Sequence, residues 1–297
     1  MRHWVLAFRL RTLPLALSCV LVGSAFALMR EGFSILIFSL TVSTTVFLQV
    51  LSNLANDYGD SENGADHADR KGPSRAVQTG VISKAAMFKA VVICSLLALI
   101  SGILLLFSSF ESVDFTLVIF FLLGIGAIVA AIKYTMGRNP YGYRALGDLF
   151  VFLFFGPVGV IGTYYLQAQE VSFLVWVGSL FCGMLSVAVL NMNNMRDVES
   201  DEQAGKITLP LLLKKMAPVY HVFLIVIGVI SYSALILTLQ ESLLELFLLL
   251  LCVPFILNLR KVLTYKDPSD LDVELKKIAL GTFACSMALF LSMMFKS

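Results

Sequence analysis

Two short stretches of this 297-residue chain gather carboxylates and carboxamides at a spacing of four residues. The first is NDYGDSENGADHADRKG, Asn56 to Gly72, and the second is NMNNMRDVESDEQAGKITL, Asn191 to Leu209. Asn56 precedes Asp60 by four and Asn193 precedes Asp197 by four; the second series continues to Asp201. Residues at i, i+4 and i+8 leave a helix from nearly one face, so each stretch aims oxygens in a single direction. Two such clusters facing one another repel: at about 5 Å and an effective dielectric near 20, each like-charged pair costs on the order of 3 kcal/mol. A divalent cation removes that penalty. Oxygen-only ligation without His or Cys suits a hard ion such as Mg²⁺, which keeps waters and shares a few carboxylates with phosphate oxygens. The bases that accompany the acids, Arg70, Lys71, Arg138 and Lys206, then fit a diphosphate.

The shared spacing separates candidates from ordinary surface charge. Glu62, Asp69, Glu199 and Glu202 read as solvated acids at helix ends. Asn56, Asp60, Asn193, Asp197 and Asp201 read as a site, because carboxylates at a helix C-terminus oppose its dipole unless a cation offsets them. Other metal chemistry finds no support. His3, His67 and His221 are scattered, and all five cysteines lie in apolar stretches without a CxxC pair, as buried free thiols do. Neither a GxxxxGK[ST] nor a GxGxxG phosphate loop occurs.

The elements that must position these residues are membrane helices. The chain is 58% hydrophobic and 14% charged, against about 25% charged in soluble domains. Apolar runs near 10–29, 33–56, 84–109, 113–136, 145–167, 171–195, 216–239, 242–263 and 273–295 predict an all-α polytopic protein of about nine spans in one domain, 1–297, within membrane lipid. The first run and its flanking arginines also resemble a signal peptide; the eight later runs favour its retention. Of 22 Lys and Arg, only Arg30 and Lys296 fall on the side opposite the acidic loops. The basic excess therefore places the amino terminus and both motifs in the cytoplasm, with the bundle in the inner membrane. The motifs follow the second and sixth spans, as in an internal duplication of about four helices, with Gly64 and Arg70-Lys71 echoing Gly205 and Lys206. Gly124 and Gly126 read as close-packing positions. Charges confined to one face argue against a transporter, whose charged groups lie near the midplane. No nucleic-acid partner is expected.

At these residues the chain resembles the UbiA superfamily of intramembrane prenyltransferases. The segments NDYGDSENGAD, NPYGYRALGDLFVFLFFGPVGVIGTYYLQ and NNMRDVESDEQAGKITL resemble its menaquinone branch. The resemblance implies nine helices around a central cavity that is open to lipid for an isoprenoid tail. It also implies Mg²⁺-dependent transfer of a polyprenyl group from polyprenyl diphosphate to 1,4-dihydroxy-2-naphthoate, with loss of CO₂ and diphosphate, giving demethylmenaquinol. The alternative within the superfamily is another aromatic acceptor, such as 4-hydroxybenzoate. Carried over, the metal ligands are Asn56, Asp57, Asp60, Asp197 and Asp201. Gly64 stands where the superfamily often has a further Asp, and Asp66 is its substitute.

That reaction needs a dry site and aromatic faces for an allylic cation. Tyr134, Tyr141, Tyr143 and the Phe150–Phe155 run are candidates, each Phe also fitting plain helix packing. Tyr134 and Tyr143, near the cytoplasmic mouth, are the better placed. Asp148, a turn into the fifth span, is a functional candidate because an ionisable group there is costly. It can orient the acceptor hydroxyl or act as its base, or it can pair with Arg144 at i−4. Arg11 can receive the acceptor carboxylate or simply anchor the first span at the interface.

Overall fold

The computed structural model describes residues 2–30, 32–64 and 75–296. Asp66, Arg70 and Lys71 lie outside them. Among the described residues, nine helices are long and apolar enough to cross a membrane: α1 (His3–Leu28), α2 (Ile35–Glu62), α3 (Lys84–Ser109), α4 (Phe115–Lys133), α5 (Gly147–Ala168), α6 (Phe173–Arg196), α7 (Leu209–Leu239), α8 (Leu243–Thr264) and α9 (Pro268–Met294). The protein is a multi-pass membrane protein. Its outer surface carries the large apolar side chains that lipid demands, among them Ile93, Leu104, Leu122, Phe223, Ile230 and Leu250. Turns at the end remote from the acidic motifs are tied by short polar contacts. Asp114 accepts from Leu117 N–H at 2.9 Å, and Gln167 accepts from Ser34 N–H at 2.7 Å.

Helices α2 and α3, α6 and α7, and α1 and α9 pack along one another, and α1 also meets α2, α5 and α6. Helices α5 to α9 share one continuous core with α1, centred on Phe26, Tyr164, Phe181, Leu185, Tyr232 and Phe255. The first half is built differently. Two small apolar plugs, one around Leu51, Leu54 and Met87 and one around Ile37, Leu105, Leu117 and Leu166, leave a cavity of about 700 Å³ between them. Helix α4 packs on α2 and α3 but has no comparable seam with α5.

Four departures from the expected spans have local causes. Helix α2 runs six residues beyond Asn56, to Glu62, because its polar last turns find protein partners. There Gly59 rests directly on the Thr135 backbone, where a Cβ would stand 2.6 Å from the carbonyl carbon and oxygen. Helix α1 opens with a helical segment, Arg2–Phe8, and breaks at left-handed Arg9, φ 48°, before resuming over Leu13–Leu28; Trp4 and Phe8 cover the Leu51 plug. Helix α5 widens to a π-helix over Phe154–Ile161, around Pro157, which supplies no N–H to the ladder. Finally, Gly124 and Gly126 are not packing glycines, since a Cβ on either meets nothing within 4 Å. Gly124 instead lines the cavity.

Candidate functional site

The first acidic rim lies on the last turns of α2. Asn53, Asn56, Asp57 and Asp60 follow i, i+3, i+4, i+7 and therefore share a face, and all but Asn56 are buried. The Asn53 side-chain amide donates to Phe8 O at 2.9 Å and to Thr12 Oγ1 at 3.0 Å, fixing the break in α1. Asn56 Oδ1 accepts from the Thr135 hydroxyl at 3.2 Å and lines the head of the cavity. The Asp57 carboxylate accepts Ala76 N–H at 3.1 Å and Val77 N–H at 3.3 Å, tying the returning chain to the rim. Asp60 pairs with Arg75 and accepts the Tyr143 hydroxyl at 2.7 Å.

The second rim straddles the end of α6. The helix stops at Arg196, Asp197 caps it, and a short helix, Val198–Gln203, continues. Asp197 N–H still bonds Asn193 O and Asp201 N–H still bonds Asp197 O, at 3.2 and 2.8 Å, so the four-residue spacing survives the break. Buried Arg196 fills this rim. Its Nε and Nη2 donate to the two Asp197 oxygens at 2.8 Å each, and Nη2 also donates to Asn193 Oδ1 at 2.9 Å. Asp201 Oδ1 accepts Lys206 Nζ at 3.1 Å, while its Oδ2 is buried without a partner. Burial pushes the Asp201 carboxyl above its ordinary range; Lys206 pulls it back, and the charges of Asp197 and Asp60 push it further up. Both acidic segments end on a left-handed glycine, Gly64 at φ 72° and Gly205 at φ 66°, each four residues after an aspartate. This pairs Asn56–Asp60 with Asp197–Asp201, one turn along from the register that the two Asn…Asp spacings indicate.

One loop joins the rims. Tyr143 gives its hydroxyl to Asp60, and its carbonyl accepts Ile207 N–H at 3.2 Å. Ala145 N–H returns to Ile207 O at 2.8 Å, and Lys206 Nζ sits 5.8 Å from the Tyr143 ring centroid. Asp60 and Asp201 thus stand at the same end of the bundle, across Tyr143 and Lys206. Below them an aromatic row enters the cavity. Tyr134 meets Tyr141 edge-on at 5.3 Å, Tyr141 stacks on Phe150 at 4.1 Å, and Phe154 follows at 6.3 Å. Burial, aided by neighbouring carboxylates, raises the Tyr134 and Tyr143 hydroxyls far above the ordinary tyrosine range, so both remain hydrogen-bond donors.

Three expected site residues sit elsewhere. Asp148 is absent from the cavity wall; its carboxylate accepts the Tyr220 hydroxyl at 3.1 Å and lines a separate groove of about 180 Å³ with Phe152, Met184 and Phe223. Neither an acceptor-facing base nor an Arg144 pair describes that placement. Arg11 Nη1 lies 3.8 Å from Asp272 Oδ1 on α9 and does not line the cavity, so its position matches the anchoring reading. Arg138 is exposed on the loop. Two residues that pair with the rim carboxylates escaped the sequence, Arg75 and Arg196. Arg75 lies fifteen residues past its carboxylate, and Arg196 adjoins Asp197, a neighbour that regular helix geometry points elsewhere.

The donor set fits Mg²⁺ held jointly with a phosphate. Its oxygens come from carboxylates and amides alone, and one, Asp201 Oδ2, is buried and unmatched. Among the described residues no three acidic, His or Cys side chains converge into a self-sufficient metal cage. An ion here must complete its shell from waters and a ligand, which is how Mg²⁺ binds diphosphates.

The chain is similar to known proteins along most of its length. Residues 16–291 match the UbiA prenyltransferase family. The chain is 38% identical over 287 residues to the 1,4-dihydroxy-2-naphthoate octaprenyltransferase of Escherichia coli, covering 96% of this chain and 92% of that one. It is 42% identical over 237 residues to the enzyme of the same name from Haemophilus influenzae, covering 79% and 77%. Two solved structures share the fold at 17% identity. The UbiA homolog from Aeropyrum pernix K1 superposes with a TM-score of 0.68 over 96% of this chain and 97% of that one. The homolog from Archaeoglobus fulgidus, bound to DMAPP and Mg²⁺, gives 0.65 over 97% and 99%. The chain belongs to the UbiA prenyltransferase family.

Proposed function

We propose that this protein transfers a polyprenyl group from polyprenyl diphosphate to 1,4-dihydroxy-2-naphthoate, releasing diphosphate and CO₂. The observation that carries the reading is the meeting of two acidic rims, joined by Tyr143, at the head of an apolar cavity. Asn56, Asp60, Asp197 and Asp201 hold Mg²⁺ and through it the diphosphate, with Asp57 bracing the first rim; Asn193 and Asp66 extend the two sets. Bound Mg²⁺ neutralises charge that develops on the departing diphosphate. Lys206, Arg75, Arg70 and Lys71 add charge-assisted hydrogen bonds to the same oxygens, and Arg138 stands on the adjoining loop. Freed from Asp60, the Tyr143 hydroxyl can donate to a phosphate oxygen or to the acceptor.

The tail follows the cavity. From Asn56 to Thr41, both on its wall, α2 rises through fifteen residues, about 22 Å at 1.5 Å per residue. Helices α4 and α5 touch where Phe120 stacks on Tyr165 but share no long seam, which lets a longer tail continue between them into lipid. Tyr134, Tyr141, Phe150 and Phe154 present ring faces to the allylic carbon as its bond to oxygen breaks, and the apolar wall keeps water from the cation. The acceptor ring carbon attacks, its carboxylate leaves as CO₂, and aromaticity returns. The basic excess on the acidic side supports an amino terminus in the cytoplasm, helical rather than β-barrel spans support an inner-membrane location, and the core that α1 shares with α5 to α9 supports a single domain over 1–297.

Purified protein given dihydroxynaphthoate, 4-hydroxybenzoate and a mixture of prenyl diphosphates tests the assignment by mass spectrometry. The expected product is the prenylated, decarboxylated naphthoquinol, formed only with Mg²⁺. Product from 4-hydroxybenzoate alone overturns the acceptor, and no product from either overturns prenyl transfer.

A further inference from the structure

Arg196 is the only described cation whose guanidinium lies within the second rim, and its side chain is 1% exposed. Three of its contacts go to Asp197 and Asn193. The fourth goes to the neighbouring span α9: Nη1 donates to Asp272 Oδ1 at 2.8 Å. Asp272 occupies the first turn of the helix Leu271–Met294, where its charge is favourable to the dipole, just as Arg196 is favourable in the last turn of α6. Asp272 is further held by Lys276 at 2.7 Å and faced by Arg11 at 3.8 Å. The chain of contacts runs from α9, through one planar fork, to the carboxylate of the rim. A guanidinium that bonds on three sides cannot turn without breaking a charged bond, so the Asp197 plane is fixed by a residue that never reaches the cavity.

We propose that Asp272 is a positioning residue for prenyl transfer, acting through Arg196 to orient Asp197 and Asn193 toward the metal–diphosphate headgroup. The proposal rests on the reading of the rims as the headgroup site. Outer residues of this kind orient the ligands of a metal without touching it, and their loss weakens metal binding by about 10–100-fold. Asp272 is itself 22% exposed at the side chain, at the end of the bundle, so Asp272→Asn removes the acceptor charge without opening a core.

The test measures Mn²⁺ binding by electron paramagnetic resonance in the detergent-purified full chain, with a non-reacting prenyl thiodiphosphate present. Asp272→Asn and Arg196→Lys, which keeps the charge but loses the fork, are expected to weaken Mn²⁺ binding about tenfold or more. Asp272→Glu recovers most of the loss, and Lys276→Gln, which touches the same carboxylate, changes nothing. Turnover of Asp272→Asn shows a raised KM for prenyl diphosphate and an unchanged KM for the acceptor, with the thermal midpoint retained. Wild-type Mn²⁺ affinity in folded Asp272→Asn or in Arg196→Lys overturns the proposal, as does an equal loss in Lys276→Gln. Asp60→Asn serves as the separate control: if it also binds Mn²⁺ normally, the headgroup site itself is misassigned, whatever Asp272 does.

Discussion

The two acidic rims face the same space but are held by different means. The first is a continuous helix whose carboxylates look outward for partners: Asp57 finds two backbone N–H groups in the chain that returns over it, and Asp60 finds Arg75 and Tyr143. The second is broken at Asp197 and held from within, by an arginine one residue before the carboxylate and an aspartate 76 residues later. The first rim therefore depends on the chain at Arg75–Val77 that packs over it, and the second on a fork locked between two spans.

The strongest test of this pairing removes one carboxylate from each side. Asp60→Asn and Asp197→Asn are expected to leave folded protein and to lower prenyl transfer by more than about 100-fold, beyond the range for residues that only position a metal ligand. Near-normal turnover in both breaks the comparison. Arg75→Met then separates the rims. Its loss takes from buried Asp60 its ion-pair partner and leaves it the Tyr143 hydroxyl, a cost of up to about 3–5 kcal/mol, so thermal stability should fall in chelator and recover with Mg²⁺ and a prenyl diphosphate. An equal fall in both conditions shows that Arg75 is structural rather than exchangeable. Tyr143→Phe removes the clamp between the rims, a hydrogen bond to a charged group of about 1.5–3 kcal/mol; the expected result is a raised KM for prenyl diphosphate, read by steady-state kinetics. Asp148→Asn should change least. Its partner Tyr220 can still donate to the substituted side chain, so turnover is expected within about threefold, equivalent to less than about 1 kcal/mol. A large loss would return Asp148 to the reaction path.

Much of this was legible in the residues. The nine spans follow from apolar length, and the site from two polar clusters that share a four-residue spacing. The faces of individual helices were less so. Asp148 lies two residues from Phe150, about 200° around α5, and turns to Tyr220 on α7 while Phe150 lines the cavity; the periodicity separates the two, but choosing which face is inward required α6 and α7. Arg11 could not be placed without its partner on α9, nor Arg75 without the turn that brings it back over α2. Arg196 is the clearest case. An arginine beside an aspartate points away from it in a regular helix, and only the break at Asp197 turns both into one fork. The close approach at Gly59 and the π-helical turn around Pro157 likewise depend on neighbours that no local pattern names.

The proposed function requires both rims to grip one headgroup. Binding of a radiolabelled prenyl thiodiphosphate to detergent-purified wild type, Asp60→Asn and Asp201→Asn, with Mg²⁺ or with chelator, tests it most directly. Saturable, Mg²⁺-dependent binding is expected in the wild type, with its loss in each single variant. Undiminished binding in either folded variant, or wild-type binding indifferent to chelator, contradicts it.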